Sequence, residues 1–69
     1  MTLKYLRDLT DESLKGVYEH NVHWQYKWFK LLEENHDKGI RDKFVDKQFD
    51  MFTNNCKKCE KVLKERGLI

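Results

Sequence analysis

The sequence predicts an all-α fold: an antiparallel hairpin of two long helices, with a short N-terminal helix folded against the first of them. Three observations lead there. Two stretches, each roughly 26 residues long, carry apolar side chains at helical spacing. A single break, "NHDKG" at 35–39, separates them. The chain also has no proline, no alanine and only three glycines, and 38% of its residues are charged, a mixture that suits solvated helices better than strands. A connection of about four residues favours antiparallel neighbours. The whole chain is read as one helical domain, residues 1–69.

The first element is "TLKYLRDL", which can form a short helix or turn presenting Leu3, Leu6 and Leu9. The first long helix then opens at "LTDESL". Thr10 can cap it, Asp11 and Glu12 sit where the helix dipole favours anions, and Leu9 and Leu14 occupy the two positions of a hydrophobic staple. Up to Asn35 only Gly16 opposes the helix, at a cost of about 1 kcal/mol relative to alanine. Gly39 can take the positive φ that ends a helix. The second long helix is expected from about Ile40 to Arg66. Lys64 and Arg66 suit its negative end, and Gly67 lies just past it.

At 100° per residue, Leu14, Val17, Tyr18, Asn21, Trp24, Gln25, Trp28, Leu31 and Leu32 form one broad stripe on the first long helix. Val22, Tyr26 and Phe29 form a second, narrower stripe to one side, and Glu19, His23, Lys27, Lys30 and Glu34 are left for water. On the second long helix Phe44, Val45, Gln48, Phe52, Asn55, Cys56, Cys59, Val62 and Leu63 share a face, which Ile40, Phe49 and Met51 widen. In a hairpin closing near residue 38, position i lies level with about 76 minus i, so Asn21 falls level with Asn55. An amide pair there either fixes register, as buried polar residues do in coiled coils, or sits at a wet edge of the seam. The aromatics therefore need two coverings. The second long helix is one; the N-terminal leucines, completing a three-helix bundle, or a second copy, completing a four-helix bundle, must be the other.

A 69-residue chain buries only about 60% of its unfolded surface and usually needs a staple or a partner. No apolar run reaches the roughly 18 residues of a membrane span. The charges at Lys4, Arg7 and Asp8 leave no signal-peptide core, so a cytoplasmic location is expected, with Cys56 and Cys59 as thiols.

Catalysis finds little support. Ser13 is the only serine, there is no glycine-rich phosphate loop, and two thin helices offer no deep pocket. The chain reads as no enzyme and as needing no cofactor. "HNVH" and "CKKC" together supply a Cys2His2 set, His20, His23, Cys56 and Cys59, of the kind that binds zinc. Direction opposes it, because both cysteines face the other helix whereas His23 points away. Buried cysteines acting as small apolar side chains are the favoured reading. A redox-active dithiol would normally open a helix rather than lie inside one.

The outer face of the second long helix carries a lysine stripe from which arginine is absent, and Lys57, Lys58, Lys61 and Lys64 are its candidates for nucleic-acid phosphates. Asp42, Asp46, Glu60 and Glu65 flank it, and the net charge is only +2. The favoured function is instead a small non-catalytic protein-binding module, an adaptor or inhibitor. Tyr26, Trp28 and Phe29 would anchor its partner, with Lys27 and Lys30 at the rim. The Lys- and Asn-rich composition without Ala or Pro resembles that of small proteins from AT-rich bacterial or phage genomes, which implies modulation of a host or regulatory protein.

Overall fold

The structure, a computed structural model, describes residues 1–69 and contains three helices and no strand: α1 (Leu3–Arg7), α2 (Asp11–Asp37) and α3 (Lys43–Glu65). α2 and α3 pack side by side as the antiparallel hairpin.

Each helix starts on a side chain that replaces a missing backbone partner. Thr2 Oγ1 accepts from the Tyr5 N–H at 3.1 Å, Thr10 Oγ1 from the Ser13 N–H at 3.2 Å, and an Asp42 carboxylate oxygen from the Phe44 N–H at 2.9 Å. The two long helices end alike. Gly39 and Gly67 both have φ +70°, a conformation that costs a residue with a Cβ about 1 kcal/mol or more. The reversal lets Gly39 N–H donate to the His36 carbonyl and Ile40 N–H to the Asn35 carbonyl; Gly67 and Leu68 do the same to Lys64 and Leu63.

Asp42 is the reason that α3 begins at Lys43 and not near Ile40. Ile40 is spent closing the end of α2, and the chain must turn before a residue able to cap is reached.

The core lies at the open end of the hairpin, where the chain termini meet. Leu6 of α1, Leu14 of α2 and Cys59, Val62 and Leu63 of α3 are fully buried together, with Leu3, Leu9, Val17, Tyr18 and Leu68 packed around them. Both staple leucines of α2 are thus in or against this cluster. α1 seats mainly on α3, not on α2 as the sequence suggested. Long-range polar contacts hold it there. Arg7 makes a two-pronged pair with Glu65 at 2.8 and 3.1 Å, and Lys58 Nζ donates to the Met1 carbonyl at 3.0 Å. Arg66 donates to Asp11 at 2.9 Å, to the Arg7 carbonyl at 2.8 Å and to the Leu6 carbonyl at 3.4 Å. It therefore supplies a donor to the Arg7 carbonyl and a second one to the Leu6 carbonyl, which also accepts from the Leu9 N–H.

Midway along the hairpin the expected amide pair is present. Asn21, only 3% exposed, donates to the Val17 carbonyl at 2.7 Å and accepts from Asn55 Nδ2 at 3.2 Å. Gln25 donates to Thr53 Oγ1 at 3.0 Å, and the Trp24 and Phe52 rings stack at 6.4 Å. These contacts fix the register along the middle of the two helices.

Beyond Asn21 the molecule is one layer thick. The radius of gyration is 13.9 Å, against about 11 Å for a compact chain of this length. The accessible surface is 5214 Å², against about 4,700 Å² for a typical monomer of 8.5 kDa. Several side chains assigned to the inter-helix stripes consequently reach solvent. Phe44 is 61% exposed, and Trp24 and Leu31 lie at the margin of the seam.

Leu6→Ala is expected to cost about 2–5 kcal/mol, since it opens a cavity where all three helices meet. Arg66→Ala should free α1 before the hairpin melts. Urea denaturation measures the first effect. Amide hydrogen exchange measures the second, as loss of protection in residues 3–9 with residues 17–32 little changed.

Candidate functional site

The helix wheel puts Val22, Tyr26 and Phe29 to one side of the seam with α3, and no other element of the chain covers them there. Tyr26 is 57% exposed and Phe29 43% exposed. With Gln25 and Phe49 they line a shallow groove of about 280 Å³. The Phe29 and Phe49 rings meet at 5.8 Å and form its floor. Lys30 Nζ stands 5.4 Å from the Tyr26 ring centroid, which orients the ring through its electron-rich face. The Gln25–Thr53 hydrogen bond closes the seam beside it.

The expected covering by the N-terminal leucines does not occur. α1 lies on the opposite side of the hairpin, where Met1, Tyr5 and Leu9 share a cleft with Gly16, His20, Asn21 and Phe52. Five residues of helix span only about 7.5 Å, so α1 can cover one end of one side.

Of the five anchor and rim residues read from the sequence, the structure brings three together: Tyr26, Phe29 and Lys30. Trp28 and Lys27 stand apart from the groove. Trp28 packs edge-on against Phe44 at 5.8 Å. Lys27 Nζ lies 5.6 Å from the centroid of the Trp24 ring. The indole N–H of Trp28 is buried and has no hydrogen-bond partner, which nothing in the structure explains. Phe49 was read only as widening the core face of α3. Its part in the groove depends on which side of the hairpin it flanks, and the wheel of a single helix cannot supply that.

The two His and two Cys do not form a cluster. Both histidine rings stand edge-on to Trp24, at 6.3 Å for His20 and 5.7 Å for His23. Cys56 and Cys59 are buried free thiols in the seam. No group of three or more His, Cys, Asp and Glu side chains is arranged to share an ion. Burial pushes both thiols up from their ordinary value of 9.0; for Cys56 the neighbouring Cys59 adds to this, and Glu60 acts on both. Thiols so placed stay protonated and are poor nucleophiles. Tyr18, whose hydroxyl donates to Glu60 at 3.0 Å, is likewise raised, chiefly by that hydrogen bond.

Of the lysine stripe, Lys57, Lys61 and Lys64 are exposed, but the Lys58 ammonium is occupied by the Met1 carbonyl. No helix is long and apolar enough to cross a membrane.

The raised thiols give stability a pH dependence of definite sign. The unfolded chain sheds their protons first, so stability is intact below the ordinary thiol value of 9.0 and falls as pH rises above it. Tyr18 adds in the same direction above its ordinary 10.0. Urea midpoints at pH 7 and pH 10 measure the fall, and a Cys56→Ala/Cys59→Ala variant should lose most of the part contributed between pH 9 and 10. Compared with protein-family models, with curated proteins and with solved structures, the chain matches none.

Proposed function

We propose that this chain is a small, non-catalytic protein-binding module that works in the cytoplasm as an adaptor or inhibitor. The observation that carries the reading is the uncovered groove of Val22, Tyr26, Phe29 and Phe49. Large aromatic rings held on a rigid helix lose little side-chain entropy on docking, and such rings concentrate binding energy in interfaces. Here they sit on one of the two longest elements, at a level where α2 and α3 are locked by the Asn21–Asn55 and Gln25–Thr53 hydrogen bonds. Tyr26 and Phe29 are the anchors, and Lys30 is the rim charge. No residue is assigned a catalytic role.

A nucleic-acid-binding regulator is the second reading. Three exposed lysines on α3 that make no ion pair, Lys57, Lys61 and Lys64, favour it. The two readings differ in what salt does. Phosphate contacts release counterions, so affinity falls steeply with added salt. Aromatic docking changes little.

The test uses affinity capture from the native source followed by mass spectrometry, at low and at moderate salt. Tyr26→Ala or Phe29→Ala should abolish capture of the partner, each costing at least about 2 kcal/mol of binding, whereas Trp28→Phe retains it. Capture that survives both alanine variants but is lost with salt, or in Lys57→Glu/Lys61→Glu, would transfer the assignment to the lysine stripe.

A further inference from the structure

The side of the hairpin opposite α1 is covered by no element of the chain. We propose that a second copy of this chain covers it, with α2 of each copy lying over α3 of the other around a two-fold axis parallel to the helices. The inference rests on the reading of the Tyr26 groove as a protein interface, and it names the partner.

Area is the first argument. The molecule measures 42 × 18 × 15 Å, so one broad side spans at most about 750 Å². A standard interface takes about 800 Å² from each partner. A second copy is thus the right size to cover the side end to end and form a two-layer, four-helix arrangement.

Self-complementarity is the second. A two-fold contact needs projection and recess on one face. Tyr26 stands at the outer edge of the groove that it lines with Val22, Phe29 and Phe49, so on this axis its ring reaches the α3 margin of the other copy while the groove meets its own symmetry mate.

Charge is the third, and it selects the orientation. Along the outer margin of this side, α2 carries Glu12, Glu19, Lys30, Glu33 and Asp37 at helical spacing, in one row with Tyr26. The corresponding margin of α3 carries Lys64, Glu60, Lys57, Asp50 and Asp46, in one row with Thr53, and Lys64, Lys57 and Asp46 are the members that meet a charge at their own level. In the register set by the Asn21–Asn55 hydrogen bond, Glu12 is level with Lys64, Glu19 with Lys57 and Lys30 with Asp46. Every pair is opposite in sign. Within one copy the two margins lie on opposite sides of an 18 Å face, and the chain's only salt bridges are Arg7–Glu65 and Arg66–Asp11. A two-fold axis along the hairpin brings α2 of one copy over α3 of the other at unchanged level, so all three pairs close at once, and again by symmetry. A two-fold axis crossing the helices at Tyr26 would set Glu19 against Glu33. Rim pairs of this kind contribute little affinity and mainly fix orientation; the aromatic groove supplies the attraction.

The experiment is sedimentation equilibrium of the full chain, with circular dichroism to show that each variant keeps its helices. The wild type should reach twice its 8.5 kDa mass at tens to hundreds of micromolar. Tyr26→Ala should leave it monomeric. Glu19→Lys should weaken the dimer about tenfold, and adding Lys57→Glu should restore it, because the reversed pair is again complementary. A wild type that stays monomeric at 0.5 mM overturns the proposal, as does a dimer indifferent to Tyr26→Ala or a double variant no tighter than Glu19→Lys alone. If the chain is monomeric but captures another protein through Tyr26, the second copy is wrong and the binding-module reading stands. If Tyr26→Ala alters neither self-association nor capture, both fall.

Discussion

Two helices lying side by side can bury only the strip of each that faces the other. That geometric limit governs this protein. An aromatic ring on either broad side of the pair stays wet unless a third element reaches it, and the only third element here is five residues long. α1 is used at the open end and on one side, where it completes the cluster of Leu6, Leu14, Cys59, Val62 and Leu63. Everything beyond that end is a single layer. The excess surface, the large radius of gyration and the exposed rings of Tyr26, Phe29 and Phe44 all follow from it.

So thin a fold depends on polar contacts to hold it in one arrangement. Buried amides are costly when unpaired, yet Asn21 donates to the Val17 carbonyl and accepts from Asn55, which penalises any slip of α2 along α3. Arg66 ties the last turn of the chain to the end of α1 and the start of α2 through three acceptors. The ion pairs that accompany it are exposed and stabilise only weakly. Arg7 nevertheless holds the Glu65 carboxyl below its ordinary value of 4.5, so this clasp loosens as acid protonates it. The result is a rigid open end and a closed end whose aromatic surface is organised, by Lys30 over Tyr26 and by Phe29 on Phe49, without being covered.

Much of this was legible in the sequence because it depends on local chemistry. Thr10, Gly39 and Gly67 act at the helix ends as their residue types require, and level counting along a hairpin was enough to pair Asn21 with Asn55. The start of α3 was misplaced because Ile40 continues the apolar pattern, although its N–H is committed to closing α2. The seat of α1 was also misread. Three leucines at helical spacing define a face but do not name the helix it meets. That choice is made by contacts more than fifty residues apart: Leu6 buried against Cys59, Val62 and Leu63, with Arg7 on Glu65 and Arg66 on the Leu6 and Arg7 carbonyls. The same difficulty divided the candidate site. Trp28 and Phe29 are neighbours in sequence but about 100° apart on a wheel, and the seam with α3 runs between them. Trp28 is therefore delivered to Phe44 and Phe29 to Phe49.

α1 occupies one side of the helix pair, and the Tyr26 side is bare in the single chain. Proton–proton Overhauser contacts from the methyl groups of Leu3, Leu6 and Leu9, recorded at a dilution where the chain is monomeric, examine this most directly. Contacts to Leu14, Cys59, Val62 and Leu63, with none to Val22, Tyr26 or Phe29, are what the account requires. Leucine methyls of residues 3–9 found against Val22 or Phe29 would show the groove to be filled by the chain's own N-terminus, and would contradict it.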